Sequence, residues 1–473
     1  MRPLFAALLL TASFAHAATP PAARPGPPNI VFILADDLGW TDLGSYGSDL
    51  YQTPHLDRLA REGTRFTQAY SACTVCSPTR AAIMTGQYPA RTRVTDWIAG
   101  HAMPRARLSP PAWTQYLERS HYTVAEVLRD AGYATGHFGK WHLGMTEDLW
   151  AEHHGFDLNR GGWRMGQPTG PAGGGNVYFS PYGNPRLTDG PPGEHLDMRL
   201  AQEAATFMEA HRDRPFFVNL WLYTVHTPLQ AAPEKIAKYR ALVRDGARHT
   251  NPTYAAMVEH MDDTVGVVLD ALDRLGLAEN TIVVFTSDNG GLLGRNNVTT
   301  NLPLRHGKGE RYEGGVRVPL IIRYPALPAA GKVSDRLAIS TDFFPTFAEL
   351  AGVGASPRLP VVDGLSLVPT LRGDPAAPAH DALYWHYPHY HTEGGTPYSA
   401  IRRGDWKLIH NLETDEVMLF DLANDLGEQY DLAPTRPDLT VALRAQLSTW
   451  LTSVGAQYPT LNPNYDPAAP FRR

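Results

Sequence analysis

Short apolar runs that alternate with helical stretches are the feature that most limits how this chain folds. Apolar runs lie at 29–37 (NIVFILADD), 134–139, 214–228, 280–291 and 316–325. Such runs are typical of strands buried on both faces of a sheet. Helical periodicity marks 123–133 and 254–277 between them. This order predicts an α/β fold with a large mixed, mainly parallel sheet sandwiched by helices.

The C-terminal part of the chain has a different pattern, which begins after the Pro-rich stretch 363–380. We expect strand pairs within 398–412 and 416–433, and a closing helix from Leu439 to about Val454. These elements indicate a smaller α+β C-terminal subdomain with an antiparallel sheet. The predicted boundaries are 27–374 for the main domain, which would carry any active site, and 375–473 for the subdomain. The segment 160–195 is rich in Gly and Pro without a period, so we expect a long loop or a mobile cover near the site.

The first residues have the three parts of a secretory signal peptide. Arg2 is a basic start, Leu4 to Leu10 is an apolar core, and Ala15-His16-Ala17 is a small-residue cleavage site. We therefore expect a signal peptide over 1–17 and a periplasmic or secreted protein. No later apolar run reaches the roughly 18 residues of a membrane span, so no membrane anchor is expected. The net charge of −6 is mild and no basic run occurs, so nucleic acid is not an expected partner.

Polar side chains follow four of the predicted strands at the point where each strand ends. They are Asp36 and Asp37, Lys140 and His142, His226, and Asp288 and Asn289. Either Asp-containing pair alone could simply form a turn. Because ligands bind outside the carboxyl ends of strands in open α/β sheets, the joint placement favours a single site. The carboxylate and amide oxygens in the set suit Ca²⁺ or Mg²⁺ better than zinc.

The chain holds only two cysteines, Cys73 and Cys76, in the stretch SACTVCSPTRAAIMTG. Pro78 suits the first position of a helix, which would place Cys76 at an anion-binding helix N-terminus. Arg80 lies one turn further on. A nucleophile beside an arginine and a cation site fits attack on a phosphate or sulfate ester. The alternative is a redox pair or disulfide between the two cysteines, but this would leave the acidic strand ends unexplained.

At this point the sequence resembles the sulfatase family, within the alkaline phosphatase-like superfamily. CSPTRAAIMTG is similar to the family's C-x-P-x-R element. Four further blocks resemble family blocks in the same order: NIVFILADDLGWTDLGSYG, GYATGHFGKWHLG, FTSDNGG and LRHGKGERYEGGVRVPLII. The resemblance implies a sulfuric ester hydrolase whose Cys76 is converted to Cα-formylglycine by a formylglycine-generating maturation enzyme. It also implies a Ca²⁺ ion bound by Asp36, Asp37, Asp288, Asn289 and the modified Cys76.

The resemblance further implies a catalytic role for each of five other positions. Arg80 and Lys140 would stabilise the modified residue and its charge. His142 would act as the acid/base partner of that residue. His226 and Lys308 would hold the sulfate group and protonate the leaving oxygen.

The substrate pocket is predicted from aromatic residues and histidines, which suit a sugar ring and its hydroxyl groups. Candidates in the stretch 383–406 are His386, Tyr390 and His391, although this stretch could instead be an aromatic seam between the two domains. Weaker candidates in the loops are Trp97, His101, Trp163 and Arg164. His306 is a candidate because it precedes Lys308 by two residues, and its alternative is a loop histidine in solvent.

We therefore expect an exported sulfatase that acts on a sulfated carbohydrate. Three alternatives remain at this stage. One is a phosphonate or phosphate ester hydrolase of the same superfamily, and another is a general arylsulfatase without preference for carbohydrate. The third is a relative that binds sulfated carbohydrate without hydrolysing it.

Overall fold

The computed structural model describes residues 26–170, 177–294, 297–327, 331–354 and 359–468. The predicted signal peptide lies outside the described residues. The strands are β1 Asn29–Ala35, β2 Thr64–Tyr70, β3 Leu108–Ser109, β4 Ala134–Gly139, β5 Leu158–Arg160, β6 Phe216–Trp221, β7 Thr281–Ser287, β8 Arg317–Arg323, β9 Lys332–Ser334, β10 Ala338–Ile339, β11 Leu383–Tyr387, β12 Tyr398–Arg403, β13 Trp406–Asn411, β14 Val417–Asp421 and β15 Thr460–Leu461. The helices are α1 Pro54–Glu62, α2 Cys76–Thr85, α3 Pro89–Thr92, α4 Val124–Asp130, α5 Leu196–Ala210, α6 Pro233–Leu242, α7 Pro252–Arg274, α8 Glu313–Val316, α9 Phe343–Leu350, α10 Val368–Arg372 and α11 Pro437–Ser453.

The large sheet has the strand order β10-β2-β8-β7-β1-β6-β4-β5, and β9 pairs with β2. The five strands from β7 to β5 are parallel, whereas β8 runs antiparallel to both of its neighbours. Helices α1, α5 and α7 contribute to the core on one face of this sheet. Helices α2, α4 and α9 contribute to the core on the other face. The predicted fold class, a large mixed and mainly parallel sheet between helices, is therefore confirmed.

Alternate residues of each central strand serve these two cores. In β1, Ile33 packs on one face while Phe32 and Leu34 pack on the other. All seven residues of β1 are buried, as expected for a strand that lies in the middle of a covered parallel sheet. This double burial explains why the residues of β1 after Asn29 are all apolar rather than alternating with polar ones.

A second, antiparallel sheet has the order β11-β12-β13-β14. One of its faces packs against α11, through Leu443 and Leu447. The other face packs against the main body, where Trp385 joins a core with Tyr70 and Val75. The predicted C-terminal antiparallel sheet is thus present, while the domain boundary at residue 375 stays a prediction. No helix among the described residues has both the length and the apolar composition needed to cross a bilayer.

Several elements differ in extent from the prediction. Strand β6 ends at Trp221 because the following residues turn away, with the amides of Tyr223 and Thr224 donating to the carboxylate of Asp197. Within 416–433 only β14 forms, and the rest turns back over the sheet. Helix α2 begins at Cys76 rather than Pro78. The segment 161–195 contains no helix or multi-residue strand in its described part, as predicted for a long loop.

Candidate active site

The site lies at the carboxyl ends of four adjacent parallel strands, β7, β1, β6 and β4. Each of these strands ends in the polar residues that the sequence singled out. Because parallel neighbours end at the same edge, residues as far apart in the chain as Asp37 and Asn289, which are separated by 252 positions, meet there. The amide of Asp37 donates to Asp288 Oδ1 at 3.2 Å, which ties the ends of β1 and β7 together.

Two fully buried cationic side chains approach Asp36. Lys140 Nζ donates to Asp36 Oδ2 at 2.6 Å, and Arg80 Nη2 lies 3.8 Å from Asp36 Oδ1. Arg80 also donates to Asp288 Oδ2 through Nε and Nη2, at 3.0 and 2.7 Å, and to the Lys140 carbonyl. Burial raises the pKa of the Asp36 carboxyl well above its usual range, against the attraction of Lys140. Arg80 is therefore held at the centre of the site by residues that follow β7 and β4.

Asp37 holds the residues that face the pocket. Lys308 Nζ donates to Asp37 Oδ2 at 2.7 Å, and His226 Nε2 lies 3.6 Å from the same oxygen. Burial works to raise the pKa of the Asp37 carboxyl, but Lys308 and His226 outweigh it and hold this pKa well below its usual range. Burial and then Lys308 lower the pKa of His226 to about 3. Lys308 is thus an ammonium beside a carboxylate, and His226 is a neutral imidazole.

Two oxygen atoms in this cluster are buried and have no hydrogen-bond partner among the residues that the structure describes. They are Asp36 Oδ1 and Asn289 Oδ1. The amide nitrogen of Asn289 donates to Asp37 Oδ1 at 2.8 Å, which leaves the Asn289 oxygen facing inward. A buried, unsatisfied oxygen carries a large desolvation cost unless a cation or donor meets it. The donor set of carboxylate and amide oxygens therefore fits a hard divalent cation.

A second grouping of possible metal ligands overlaps this cluster. One ligand atom each from Asp36, Asp37 and His226 lie within 4.8 Å of one another. His226 was predicted from the sequence to contact substrate rather than metal. The pairs Asp36–Asp37 and Asp288–Asn289 remain the predicted ligands, and the structure brings all four residues to one place.

Cys76 occupies the first position of α2, and its thiol contacts His142. The Sγ–Nδ1 distance is 3.3 Å. On the other side of the ring, His142 Nε2 donates to the carbonyl of Ile98. Because a carbonyl can only accept, the proton of the neutral imidazole is assigned to Nε2, and Nδ1 is free to accept from position 76. Burial, followed by Lys140, lowers the pKa of His142 well below its usual range, which keeps the ring neutral.

The two cysteines do not form a disulfide, and both are free and buried. Burial raises the pKa of the Cys76 thiol, although Lys140 and Lys308 oppose this shift. Burial raises the pKa of Cys73 as well. A cysteine with a raised pKa is a weak nucleophile, since the thiolate is the reactive form. The surroundings of Cys76 therefore do not suit redox chemistry by an unmodified thiol.

A cavity of about 550 Å³ opens above Cys76. Of the residues predicted from the sequence, this cavity is lined by Cys76, His142, His226, Lys308, Trp97, His101, Arg164 and His391. Trp97 Nε1 donates to His101 Nδ1 at 2.9 Å, and the rings of His101 and His391 meet edge to face at 5.0 Å. The cavity thus has a charged floor and a wall of aromatic and imidazole rings.

Four predicted substrate contacts lie outside this cavity. Strand β11 points His386 away from the main body, and its two ring nitrogens bond the Ser399 hydroxyl and the Gln457 carbonyl. His386 therefore does not line this cavity, because the alternation of β11 places Trp385 and Tyr387 on the inner face instead. The ring of His306 stacks on Tyr312 at 5.1 Å.

The other two predicted substrate contacts outside this cavity are Trp163 and Tyr390. Trp163 supports the wall from behind: its carbonyl accepts from the amide of His142, and its ring packs beside Arg164. Tyr390 is buried and lines a neighbouring cavity rather than this one. The aromatic stretch 383–406 thus serves both as a packing seam, through Trp385, and as a pocket wall, through His391.

Sequence reasoning missed several residues that shape the site. Gly166 lies flat against the ring of His142, so close that an added Cβ would stand 2.3 Å from Cε1. Ser77 donates to the His142 carbonyl and accepts from the Ile98 amide, which joins the two segments that flank Cys76. Asp96 accepts from the Tyr387 hydroxyl at 2.8 Å and anchors the loop that carries Trp97. A lone Asp before an aromatic residue was the only signal for Asp96.

The site can be compared with those of known proteins. Residues 28–353 match the sulfatase family model. The chain belongs to the sulfatase family. Residues 306–454 also match the model for the C-terminal part of N-sulphoglucosamine sulphohydrolase. The family resemblance that the sequence motifs indicated is thus confirmed, and the protein is a sulfuric ester hydrolase.

Relatives and solved structures support this membership over most of the chain. A sulfatase of Formosa agariphila is 34% identical, with 90% of this chain and 88% of the relative covered. The N-acetylgalactosamine-6-sulfatase of Mus musculus is 35% identical, covering 74% of this chain and 67% of the relative. The crystal structure of Ps i-CgsB in complex with k-i-k-neocarrahexaose superposes with a TM-score of 0.75 at 30% identity, covering 93% and 94% of the two chains.

Proposed function

We propose that this protein hydrolyses sulfate monoesters of a sulfated carbohydrate, with Cys76 converted to Cα-formylglycine and with a calcium ion bound beside it. The observation that carries this proposal is the position of Cys76. It begins α2 at the floor of the cavity, with His142 at 3.3 Å and Lys308 among the other lining residues. Its thiol is buried beside cationic side chains and does not pair with Cys73. A site of this form suits a modified residue that attacks an anionic ester.

The fit of a calcium ion is supported by the two unpartnered oxygens of Asp36 and Asn289. Asp36, Asp37, Asp288 and Asn289 would hold the ion, together with an oxygen of modified residue 76. The ion would neutralise the crowded carboxylates and polarise an oxygen of the bound sulfate. The short ion pairs from Lys140 to Asp36 and from Lys308 to Asp37 would weaken as the ion takes up part of the carboxylate charge.

The positions of the other side chains indicate which part of the reaction each of them carries out. When hydrated, formylglycine supplies a hydroxyl group as the nucleophile toward sulfur. His142 Nδ1 faces position 76 and accepts that proton, while the Ile98 carbonyl fixes the ring. Lys308 and His226 line the cavity, where they hold the sulfate oxygens. The bound sulfate anion would favour the protonated form of His226, which then supplies a proton to the leaving oxygen. Arg80 and Lys140 stabilise negative charge from below.

Sulfated carbohydrate is favoured as the substrate class by the cavity wall and by the relatives. Trp97, His101 and His391 offer aromatic and imidazole ring faces suited to a sugar. Two of the similar proteins are, by name, an N-acetylgalactosamine-6-sulfatase and a protein crystallised with a neocarrahexaose. The proposal includes export of the protein through the N-terminal signal peptide and modification of Cys76 by a formylglycine-generating enzyme.

Mass spectrometry of the tryptic peptide Phe66–Arg80 tests the central step. We expect residue 76 as the aldehyde, with sulfur replaced by oxygen and two hydrogens lost. Cys73 in the same peptide is the internal control, and it should remain an alkylatable thiol. If residue 76 stays a thiol after co-expression with a maturation enzyme, the formylglycine proposal fails. A disulfide between the two cysteines would support the redox alternative instead.

A rate comparison tests the reaction class. The matured protein should hydrolyse an aryl sulfate much faster than an aryl phosphonate or phosphate. Cys76→Ser, produced in the same way, provides the background rate. Preference for the phosphonate would favour the alternative of a phosphonate ester hydrolase, and glycan binding without turnover would favour the non-catalytic alternative.

A further inference from the structure

A second cavity of about 800 Å³ lies next to the active-site cavity and shares His101 and Thr392 with it. These two residues are bonded to each other, with His101 Nε2 3.2 Å from Thr392 Oγ1. His101 is also fixed from behind, because its Nδ1 accepts from Trp97 Nε1. His101 and Thr392 therefore form the boundary between two adjoining cavities, and we call this pair the post. We name the second cavity the outer compartment.

Three segments that are far apart in the sequence build the outer compartment. They are 101–107, the region of Tyr390 and Glu413, and 465–468 at the end of the described chain. The last segment is tied down by β15, which pairs with β3. Asn462 strengthens this tie, because its side chain donates to the carbonyls of Pro104 and Ala106. The chain beyond α11 thus forms one wall of the outer compartment.

The lining of the outer compartment suits a neutral, hydroxyl-rich group. The Tyr390 hydroxyl donates to Glu413 Oε1 at 2.8 Å and accepts from the Leu108 amide, so the carboxylate is held at the wall. Arg105 lies 3.7 Å from Asp466, so these two charges balance. The side chain of Tyr465 lies at the edge of the outer compartment, and this residue is 48% exposed. Aromatic faces combined with planar polar groups are the usual means of binding a sugar ring in a shallow cleft.

We infer that the outer compartment binds the sugar unit joined to the sulfated one, so that the substrate is a sulfated oligosaccharide rather than a monosaccharide. This inference rests on the proposed function and narrows its substrate class. The sulfated unit occupies the cavity above residue 76, and the chain passes the post formed by His101 and Thr392. The neighbouring unit then contacts Tyr465, Tyr390 and Glu413. A volume of about 800 Å³ lies within the range of ligand-binding pockets.

The test compares Tyr465→Ala with Tyr458→Ala in the matured enzyme. Tyr458 is a matched control, because it has the same residue type and the same 48% exposure in the same segment but does not line the outer compartment. The substrates are an aryl sulfate, N-acetylgalactosamine 6-sulfate, an oligosaccharide ending in that unit, and a sulfated neocarrahexaose. Removal of one stacking ring should raise the KM for a productive oligosaccharide roughly three- to tenfold, with kcat little changed. The two small substrates should be unaffected, and Tyr458→Ala should match the wild type throughout.

Two outcomes overturn the inference. One is a wild-type kcat/KM that does not rise between the monosaccharide and any oligosaccharide. The other is a Tyr465→Ala variant that changes all substrates equally or none. Failure of the proposed function would look different, since no sulfate ester would then be hydrolysed. Calorimetric binding of the same oligosaccharides to Cys76→Ala, with and without Tyr465→Ala, separates the cases because it needs no turnover.

Discussion

The contact between Gly166 and His142 yields a sharp test of how the site works. An alanine at position 166 would place its Cβ 2.3 Å from Cε1, 2.5 Å from Nε2 and 2.6 Å from Nδ1 of the His142 ring. Ordinary van der Waals contact begins at 3.4 Å, so the ring or the loop has to move by roughly 1 Å. The ring is held by the Ile98 carbonyl on one side and contacts Cys76 on the other. Movement of the ring therefore breaks its alignment with residue 76.

A displacement of this size has a large effect on a reaction that depends on alignment. Misplacement of a catalytic group by 1 Å costs about 10²-fold in rate. We therefore expect kcat/KM of Gly166→Ala for an aryl sulfate to fall by about two orders of magnitude. The measurement is steady-state hydrolysis by the purified, matured variant. The extent of modification at residue 76 is measured by mass spectrometry, so that a maturation defect is not counted as a catalytic one.

Gly354→Ala is the control for this experiment. An added Cβ at position 354 meets no atom of the described residues within 4 Å, and the backbone there does not have a positive φ. This variant should keep wild-type activity, with a thermal midpoint that is unchanged or slightly higher because the unfolded chain loses entropy. Full activity in Gly166→Ala, with residue 76 modified, would refute the expected displacement of the His142 ring. Equal losses in both variants would refute the steric argument.

Four further predictions follow from other parts of the structure. His226→Ala should lower kcat for a sugar sulfate by about 10²–10⁴-fold and for a nitrophenyl sulfate by less than about tenfold, because a good leaving group needs no proton. Lys407→Met should lower the free energy of unfolding, measured in urea, by about 3–5 kcal/mol. It leaves Glu313 and Glu428 buried without the lysine that lies 3.0 Å from each. Addition of Glu428→Gln to this variant should recover part of the lost stability. Burial raises the pKa of the Asp96 carboxyl to about 7. The contribution of Asp96 to the free energy of unfolding is therefore complete below pH ~4 and is lost as the pH rises to 7. The thermal midpoint of Asp96→Asn should lack this dependence on pH. Chelation should lower both activity and the thermal midpoint, and added Ca²⁺ should restore both, whereas an unchanged midpoint would argue against a bound ion.

The sequence predicted the centre of the site because the chemistry there follows a simple topological rule. Asp36, Asp37, Asp288 and Asn289 each follow a strand that is buried throughout and mainly apolar, and parallel strands deliver such residues to one edge. No knowledge of side-chain packing is needed for that step. Lys308 was assigned only through the family resemblance, since it lies in a loop far from any strand end.

The walls of the pocket could not be predicted in the same way, because they depend on contacts between distant loops. His386 and His391 look alike in the sequence, yet only His391 lines the cavity. The first lies in β11, whose alternation turns it toward the Gln457 carbonyl, and the second lies just beyond that strand. The strand itself was not predicted, so its alternation could not be used. Gly166 is a glycine among many in its segment, and only the fold places it against the ring of His142.

The burial of Cys76 has a consequence for the order of events during biosynthesis. In the folded protein this residue is 3% exposed, so a modifying enzyme has no access to it. The residues that enclose it are made later, and Lys308 follows it by about 230 positions. At about 5–20 residues per second, translation leaves roughly 10–50 s between the two. The proposed modification of Cys76 would therefore compete with the folding of a newly made chain, and a variant that folds faster should carry a larger fraction of unmodified cysteine.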